Sequence, residues 1–411
     1  MIKKIFSLML VALLLVSCLA ACGTDPEEPA DSASGTDTAA LAETTPPAAD
    51  TEPAEPDTEP DTDDENKKPI VTANTLVLNA SAQGIRLLGG RTLATDKEIL
   101  CDQAGSGVEF TLINSGKTLT FSVETDGPCY FRVYVNGAVA NTINGDELHF
   151  VDGKGMVMIS GLKGGEQKIR LIKVSGADTA TAQLTSVLYT GVISKTAPKG
   201  EEGYLEFVGG TLPSDDVTLS DAFALAKACE AEYSILSELS LLCGETDLSA
   251  AYAQRSSERD NTAYGFDKKA KVVIVDLGAA DYALSKTDST VTAEAFAEKY
   301  QAMIETIIEN NSETDSPCRV VCVYDAANEA FADAVTAVYE AIGKQSAGIY
   351  VCTRNSGEDG VMSSDEQTAY LKVLKNTVAY AEAGMVTDKP LENGGTDGTG
   401  LSVSYKDFVK K

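Results

Sequence analysis

The sequence predicts an antiparallel β-sandwich followed by an α/β region with a parallel sheet and helices on both of its faces. Two different patterns of apolar and polar residues along the 411-residue chain support this prediction. In residues 70–194, short segments of alternating apolar and polar residues are separated by Gly, Asn and Asp, and none has helical periodicity. After residue 203, continuous apolar strands alternate with helical runs, which is typical of a parallel sheet.

The first 22 residues have the pattern of a bacterial lipoprotein signal peptide. Two lysines precede an apolar run over residues 5–16, and the segment Leu-Ala-Ala-Cys ends at Cys22. The run is too short to span a bilayer comfortably, and no basic stop-transfer flank follows it. We therefore expect export, and a lipid on Cys22 that anchors the chain to the outside of the bacterial cell membrane.

An acidic spacer is predicted over residues 23–68. This segment holds 15 Asp and Glu against two Lys, and eight of the chain's 13 prolines lie in 26–69. So few large apolar side chains cannot offset the entropy of ordering the backbone. The predicted organisation is a signal peptide (1–22), a disordered linker (23–68), a β-sandwich domain (69–195), an α/β domain (200–383) and a Gly-rich tail (384–411).

The formal net charge of −29 limits the classes of molecule that the chain is expected to bind. So acidic a surface repels nucleic acid and anionic glycans, which leaves neutral polysaccharides or another surface protein as the expected partners. No Gly-rich segment lies between a strand and a helix as a phosphate cradle would. We expect no cofactor and no metal site.

Seven cysteines follow Cys22, and this odd number cannot pair completely within one chain. Buried free thiols are the expectation, and Cys101–Cys129 is the first candidate for a bridge. The only histidine, His149, adjoins an Asp- and Glu-rich turn, so we expect it in an exposed loop.

Strands and helices alternate in the predicted α/β region, and the segment EYSILSE (232–238) follows the first helix. The strands cover 205–209, 271–278, 319–325 and 348–353, and the helices cover 219–231, 291–309, 327–342 and 364–383. The strand KVVIVDLG (271–278) is apolar throughout, as in strands that are buried on both faces.

Segments from both regions resemble carbohydrate esterase family 2, whose members pair a jelly-roll β-domain with an SGNH/GDSL-type hydrolase domain. The segments are GIRLLGGR (84–91), GSGVEFTLINSGKTLTFSV (105–123), YFRVYVNG (130–137), YLEFVGGTL (204–212), EYSILSELS (232–240) and KVVIVDLGAAD (271–281). The resemblance covers residues 70–383. It implies a three-layer domain with a flavodoxin-like parallel sheet, and a serine esterase that acts on carbohydrates.

The positions that carry the family's chemistry differ in this chain. The nucleophile motif Gly-Asp-Ser reads Gly-Gly-Thr and ends at Thr211. The oxyanion positions match Ser240, whose segment lacks the family's glycine, and Ala280, where the family has a donating asparagine. The position of the histidine base matches Val361 or Met362. A hydroxyl attacks an ester only when a base takes its proton, so these losses together predict an inactive enzyme.

Other side chains at the predicted carboxyl edge of the sheet are candidates for ligand binding. Open α/β sheets bind ligands at this edge, where Asp215, Asp281 and Asp359 could converge to hold a sugar or Ca²⁺. The alternative is a structural role, in which Asp215 and its neighbour Asp216 keep a loop hydrated and Asp281 caps a helix. Tyr282 could present its ring to a sugar, as could Tyr264, although the chain has no Trp.

Three functional hypotheses follow from the sequence. The first is a pseudoenzyme at the cell surface that binds a polysaccharide or a protein partner. The second is a working carbohydrate O-acetylesterase that uses Thr211 and a base not recognised in the sequence. The third is a structural envelope lipoprotein without a ligand.

Overall fold

Alternating apolar residues in the first region build two antiparallel sheets around one core. The computed structural model describes residues 73–142, 144–243, 247–256, 260–356 and 362–386. Its first strands are β1 Asn74–Val77, β2 Arg86–Leu88, β3 Leu93–Ala94, β4 Ile99–Cys101, β5 Gly107–Ile113, β6 Thr118–Thr125, β7 Cys129–Val135, β8 Ala138–Ala140, β9 His149–Val151, β10 Lys154–Ser160, β11 Glu166–Lys173, β12 Ala182–Tyr189 and β13 Val192–Ile193.

The two sheets have clearly defined strand orders. One runs β10-β6-β12-β4-β3, with β1 paired to β12, and the other runs β13-β5-β11-β7-β8, with β2 on β5 and β9 on β7. Phe110, Phe121 and Leu171 are fully buried between them. The alternation in sequence therefore corresponds to alternation of core and outer faces.

Two expectations for this region are wrong. His149 belongs to strand β9, where it pairs with Phe131 on β7, rather than to an exposed loop, and it is 6% exposed. Cys101 and Cys129 are both buried and both free, so the candidate bridge is absent. The expectation of buried free thiols is confirmed for six of the seven described cysteines, and Cys243 is the exposed one.

The second region contains a five-stranded parallel sheet. Its strands are β14 Gly203–Gly209, β15 Ala231–Leu236, β18 Val272–Asp276, β19 Arg319–Asp325 and β20 Ile349–Arg354, and a hairpin adds β16 Gln254–Ser256 and β17 Asp260–Ala263. The order β15-β14-β18-β19-β20 is the flavodoxin-like order, which reverses direction beside β14. The hairpin was not predicted, since its residues lack an apolar run.

Helices cover both faces of the parallel sheet. They are α1 Asp221–Cys229, α2 Leu248–Tyr252, α3 Ala279–Ser285, α4 Ala293–Asn311, α5 Glu329–Ile342 and α6 Ser364–Glu382, with 3₁₀ turns at Pro213–Asp215, Val217–Leu219 and Lys344–Ala347. Phe296 of α4 and Val335 of α5 pack on one face, and Leu225 of α1 and Leu374 of α6 pack on the other. This arrangement gives the three layers expected.

Capping interactions determine the residues at which helices α1 and α6 begin and at which α1 ends. Ser220 accepts from the amide of Phe223 and begins α1 two residues later than predicted, and the left-handed Glu230 (φ 52°) ends it. Ser363 and Glu366 form a capping box at the start of α6. These polar contacts satisfy amides that have no partner within the helix.

The two regions share apolar contacts. Ile172 and Val174 of the sandwich belong to the same core as Phe207 of β14, and the described residues form one compact unit. The chain is thus a mixed α/β protein with antiparallel sheets and a parallel sheet; its division into two domains and the jelly-roll topology stay predictions. None of the helices in the described part combines the length and the apolar run that a bilayer crossing requires.

Candidate functional site

A cavity of about 900 Å³ opens at the carboxyl edge of the parallel sheet. Its lining includes the ends of four strands, at Gly209, Asp276, Asp325 and Arg354. This is the edge at which open α/β sheets bind ligands, next to the point where the strand order reverses. The sequence predicted ligand binding at this same edge of the sheet.

Thr211 lies at the mouth of this cavity, two residues after β14 ends. Gly209 and Gly210 before it have φ angles of 94° and 77°. A Cβ at Gly209 would lie 2.1 Å from the carbonyl oxygen of Asp276, so the chain requires glycine there. The threonine side chain is exposed, and within the described ranges no residue forms a hydrogen bond with its hydroxyl.

No imidazole reaches Thr211, since the chain's single histidine lies elsewhere. His149 is in the sandwich, on the strand beside β7, and it does not line the cavity. Of the two matched base positions, Met362 lines the cavity with a thioether, which cannot accept the proton of an alcohol usefully. Val361 lies outside the described residues, and so does Asp359.

The two oxyanion positions do not supply donors. The Ser240 hydroxyl donates to Oδ1 of Asp281 at 2.5 Å and accepts from the amide of Cys243 at 2.8 Å. Ala280 lines the cavity but presents only a methyl group. An oxyanion needs preorganised donors aimed at it, and neither residue offers one.

Asp281 is a structural residue, so its prediction as a ligand-binding residue is wrong. Its side chain is fully buried, and besides Ser240 it accepts from the amides of Leu241 and Leu242 at 3.2 and 2.7 Å. It lies in the first turn of α3, whose N-cap is Gly278. It therefore fixes the loop after β15 to α3 rather than capping its own helix.

Asp215 and Asp216 turn away from the cavity and bind the sandwich. Asp215 accepts from the amide of Gly176 at 2.8 Å and from the hydroxyl of Thr179 at 3.2 Å. Asp216 is 3% exposed and lies 2.7 Å from Nη2 of Arg132. The expected convergence of aspartates at this edge fails here, because both carboxylates are engaged in fixing the sandwich to the loop after β14.

Tyr282 is the predicted ligand-binding residue that lines the cavity. Its ring meets the edge of Phe331 at 5.6 Å between centroids, and Nζ of Lys286 lies 4.5 Å from its centroid. Tyr264 is 7% exposed, donates to the carbonyl of Gly90 and takes no part in the site.

A polar cluster that was not predicted occupies the cavity. Nη1 of Arg354 lies 2.6 Å from Oδ2 of Asp276, and its Nε donates to Asp325 at 3.3 Å. Ser356 also donates to Asp325, at 2.5 Å. The signal for these carboxylates is present in the sequence, since KVVIVD and RVVCVYD are strands that end in aspartate.

Burial, hydrogen bonds and ion pairs together shift the pKa of the charged members of this cluster. Burial raises the pKa of Asp276, and Arg354 opposes that rise. Burial also acts to raise the pKa of Asp325, but hydrogen bonds from Ser356 and backbone amides outweigh it and hold the pKa below its usual range. For Arg354, burial lowers the pKa, but Asp276, Tyr370 and Asp325 together outweigh burial and hold the pKa above its usual value.

Glu238 is a further residue of the cavity that the sequence analysis did not predict. Its Oε1 accepts from the amide of Leu212 at 2.6 Å, and its own amide donates to the carbonyl of Gly210 at 3.0 Å. These contacts flank Thr211 on both sides and bring a carboxylate to the cavity wall. Negative charge here would oppose an oxyanion forming at the mouth. Among the residues described, no group of His, Cys, Asp and Glu is arranged to hold a metal ion.

Comparison with solved structures identifies the fold. A family two carbohydrate esterase from Cellvibrio japonicus is similar with a TM-score of 0.62 at 13% identity, covering 76% of this chain and 99% of that one. A family two carbohydrate esterase from Clostridium thermocellum in complex with cellohexaose gives 0.60 at 17% identity, covering 74% and 100%. The acetyl xylan esterase Est2A from Butyrivibrio proteoclasticus gives 0.61 at 14% identity, covering 76% and 100%.

The chain therefore has the SGNH-like fold of the family 2 carbohydrate esterases. Its sequence matches no family model and no curated protein.

Proposed function

We propose that this chain is a carbohydrate-binding protein on an esterase scaffold, and that its cavity binds a neutral polysaccharide without hydrolysing an ester. One observation carries this proposal. The chain has a cavity of about 900 Å³ at the edge of its parallel sheet, whereas its only imidazole lies in the sandwich on β9. Binding and catalysis have become separable, because the space for a ligand remains and the proton acceptor does not.

Loss of the catalytic unit costs more than the rest of the site can supply. Removing a nucleophile–base unit lowers turnover by about 10⁶, and each missing oxyanion donor costs about 10²–10³. Here Ser240 is engaged by Asp281 and position 280 is an alanine. Thr211 therefore lacks both a base to activate its hydroxyl and donors to stabilise the oxyanion, and acyl transfer needs both.

The side chains that remain suit a neutral sugar. Asp276, Asp325 and Arg354 offer donors and acceptors, and the ring of Tyr282 offers an apolar face. Sugars bind through hydroxyl hydrogen bonds combined with aromatic contact. The Clostridium thermocellum relative in complex with cellohexaose makes a β-glucan the first ligand to test.

Calorimetry with cellohexaose tests binding directly. We expect saturable binding that weakens about tenfold or more in Tyr282→Ala, since one stacked ring contributes about 1.5 kcal/mol. Phe150→Ala is the matched control, because Phe150 is an aromatic residue 56% exposed on the sandwich. Equal loss in both variants, or flat titrations across a panel of neutral glycans, would contradict the proposal and leave a structural lipoprotein.

A hydrolysis assay tests the rival function. We expect no release of p-nitrophenol from p-nitrophenyl acetate, and no acetate from acetylated xylan, above that of the Thr211→Ala variant. Turnover that Thr211→Ala abolishes would establish an active O-acetylesterase with a base outside the recognised pattern. The same protein preparation should serve both assays, so that loss of folding is not mistaken for inactivity.

We also propose that the chain works outside the cell, held to the membrane by a lipid on Cys22. The support is the basic start, the short apolar run and the Leu-Ala-Ala-Cys segment, all outside the described residues. Metabolic labelling with a fatty acid should mark the wild type and not Cys22→Ser. Labelling of the variant, or a wild type found wholly in the soluble fraction, would refute the anchor.

The partner in place of a polysaccharide could be another protein of the cell surface. A pull-down with the purified chain would identify such a protein partner.

A further inference from the structure

A second cavity, of about 480 Å³, lies between the sandwich and the outer edge of the parallel sheet. We call it the seam cavity. Strands β2, β5, β7 and β11 form one wall, and α1 with β15 forms the opposite wall. It shares no lining residue with the cavity at Thr211 in the described part of the chain. It is therefore a separate place for a ligand, of a size typical for small-molecule sites.

Strand register places a row of polar side chains along the sandwich wall. Arg86 of β2 pairs with Glu109 of β5, Glu109 pairs with Arg170 of β11, and Arg170 pairs with Tyr134 of β7. Directly opposed residues of neighbouring strands point to the same face of a sheet. All four of these residues line the seam cavity.

Cations outnumber the carboxylates that hold them. Glu109 is 1% exposed and receives three cations: Nη2 of Arg86 at 2.6 Å, Nη2 of Arg170 at 2.8 Å and Nζ of Lys168 at 3.2 Å. Glu232 on the opposite wall contacts Arg86 at 3.2 Å and also Lys268. Four cations thus contact these two carboxylates. The lining also includes Lys227, Glu201 and Glu230, so five cations face four carboxylates in a chain whose net charge is −29.

Donors remain for a further anion. Nε of Arg86 is buried without a hydrogen-bond partner, and Nη1 of Arg170 has none among the described residues. Burial lowers the pKa of Lys268, and the nearby charge of Arg86 lowers it further. A second negative charge would satisfy these donors and offset the repulsion between cations.

The opposite wall adds aromatic surface. Phe223 of α1 and Tyr233 of β15 meet edge to face with 5.5 Å between centroids, and both line the cavity. The Tyr233 hydroxyl donates to the carbonyl of Gly105 at 3.1 Å, which fixes its ring. A planar guanidinium matches a carboxylate, and an aromatic face matches a sugar ring.

We propose that the seam cavity binds a carboxylate-bearing sugar, that is, a hexuronic acid or a short oligomer of it. The net charge alone predicts that anionic glycans are repelled; the local excess of cations reverses that prediction at this one place. This site does not depend on the neutral-glycan site at Thr211, since the two cavities are separate.

Titration of the protein with digalacturonate, with cellobiose as the neutral control, tests the proposal. We expect digalacturonate to bind at least about tenfold more tightly than cellobiose, and we expect the difference to shrink as salt screens the charges. Arg170→Gln should weaken digalacturonate binding about fivefold or more. Lys168→Gln, at a side chain 44% exposed, provides a second variant that should weaken it if Arg170→Gln fails to fold.

Two controls decide where the ligand binds. Lys154→Gln removes an 82% exposed lysine on β10, so binding should be unchanged. Saturating cellohexaose should not compete with digalacturonate. Competition would place the acid in the cavity at Thr211 and overturn the proposal. Absent binding, or equal binding of acid and neutral sugar, would overturn it as well and leave the row of charges as an internal salt-bridge network.

Discussion

Nη1 of Arg354 lies 2.6 Å from Oδ2 of Asp276, although strand β19 separates the two strands that these residues terminate. The guanidinium therefore crosses the end of β19, where it also meets Asp325. One arginine thus joins the ends of three neighbouring strands inside the candidate site. It holds the charges of the cavity in place and stabilises the sheet edge at the same time.

Arg354→Gln should lower the free energy of unfolding by about 3 kcal/mol at pH 7, since it leaves carboxylates in the cavity without their counter-ion. Chemical denaturation of the variant and of the wild type measures this difference. The double variant Asp276→Asn/Arg354→Gln should regain part of the loss, because one of the two carboxylates left without a counter-ion is then neutral. Equal losses in the single and the double variant would show that the Asp276 carboxylate without its counter-ion does not destabilise the fold.

The pH dependence of this variant follows from the raised pKa of Asp276. Removing Arg354 raises that pKa further, so the folded variant binds a proton more tightly than its unfolded chain does. A carboxyl with a raised folded pKa contributes stability at low pH and loses it as pH rises through the folded pKa. The deficit of Arg354→Gln should therefore shrink on acidification.

The neighbours Asp215 and Asp216 should differ in their contribution to stability. Asp216→Ala removes a buried ion pair with Arg132 and also the acceptor of the Thr218 amide, so we expect a loss of about 3 kcal/mol. Asp215→Ala, the matched control, removes two hydrogen bonds at a half-buried site and should cost about 1–2 kcal/mol. Thermal unfolding compares them, and a larger loss in Asp215→Ala would contradict the assignment.

The contrast between these two aspartates shows what sequence could and could not predict. Periodicity predicted the strands and helices, since burial of one face determines the pattern of a single element. The partners of Asp216 and Asp281 could not be predicted, because they lie 84 and 41 residues away along the chain. That no imidazole lines the cavity could be predicted, because a chain with one histidine offers one place to look.

The residues that line the cavity also fall into those that the sequence predicted and those that it did not. Thr211, Ala280 and Tyr282 were reached through sequence motifs, and all three line the cavity. Arg354 and Glu238 were missed because neither belongs to a motif, and each acts through contacts that only the folded sheet edge creates. A rule that flags a charged residue ending each parallel strand would have found Asp276, Asp325 and Arg354.

Restoring single parts of the reaction centre should not restore hydrolysis. Thr211→Ser with Ala280→Asn returns the usual nucleophile and one oxyanion donor, yet the serine still has no base to take its proton. We expect release from p-nitrophenyl acetate to stay at the level of the Thr211→Ala variant. Clear turnover by the double variant would show that another group of the cavity accepts the proton.

Native alkylation should single out Cys243 among the described cysteines. Its thiol is exposed, whereas burial raises the pKa of Cys318, Cys322 and Cys352 to about 12 and so suppresses their thiolates at pH 8. Peptide mapping after brief iodoacetamide treatment should find the label on the Cys243 peptide. Denaturation before labelling should expose all seven; early labelling of Cys101 or Cys129 would contradict their burial.

His149 should make the protein less stable as the pH falls below neutrality. Burial lowers the pKa of its imidazole, although a hydrogen bond to the backbone of Ala140 opposes this, and Nε2 has no partner among the described residues. A group with a lowered folded pKa contributes stability above its unfolded pKa, about 6.5, and loses it as pH falls through the folded value. Unfolding by urea between about pH 7.5 and 5.5 should therefore show a falling midpoint.

The variant His149→Gln separates this effect from the titration of carboxylates, which it leaves unchanged. The chain contains no other imidazole, so the difference in slope between wild type and variant reports one group alone. We expect the variant to start less stable at pH 7.5, because glutamine fills the site less well, and to lose less on acidification. Parallel slopes would mean that the imidazole is solvated in the folded protein, and that its place on β9 leaves it as free to titrate as in the unfolded chain.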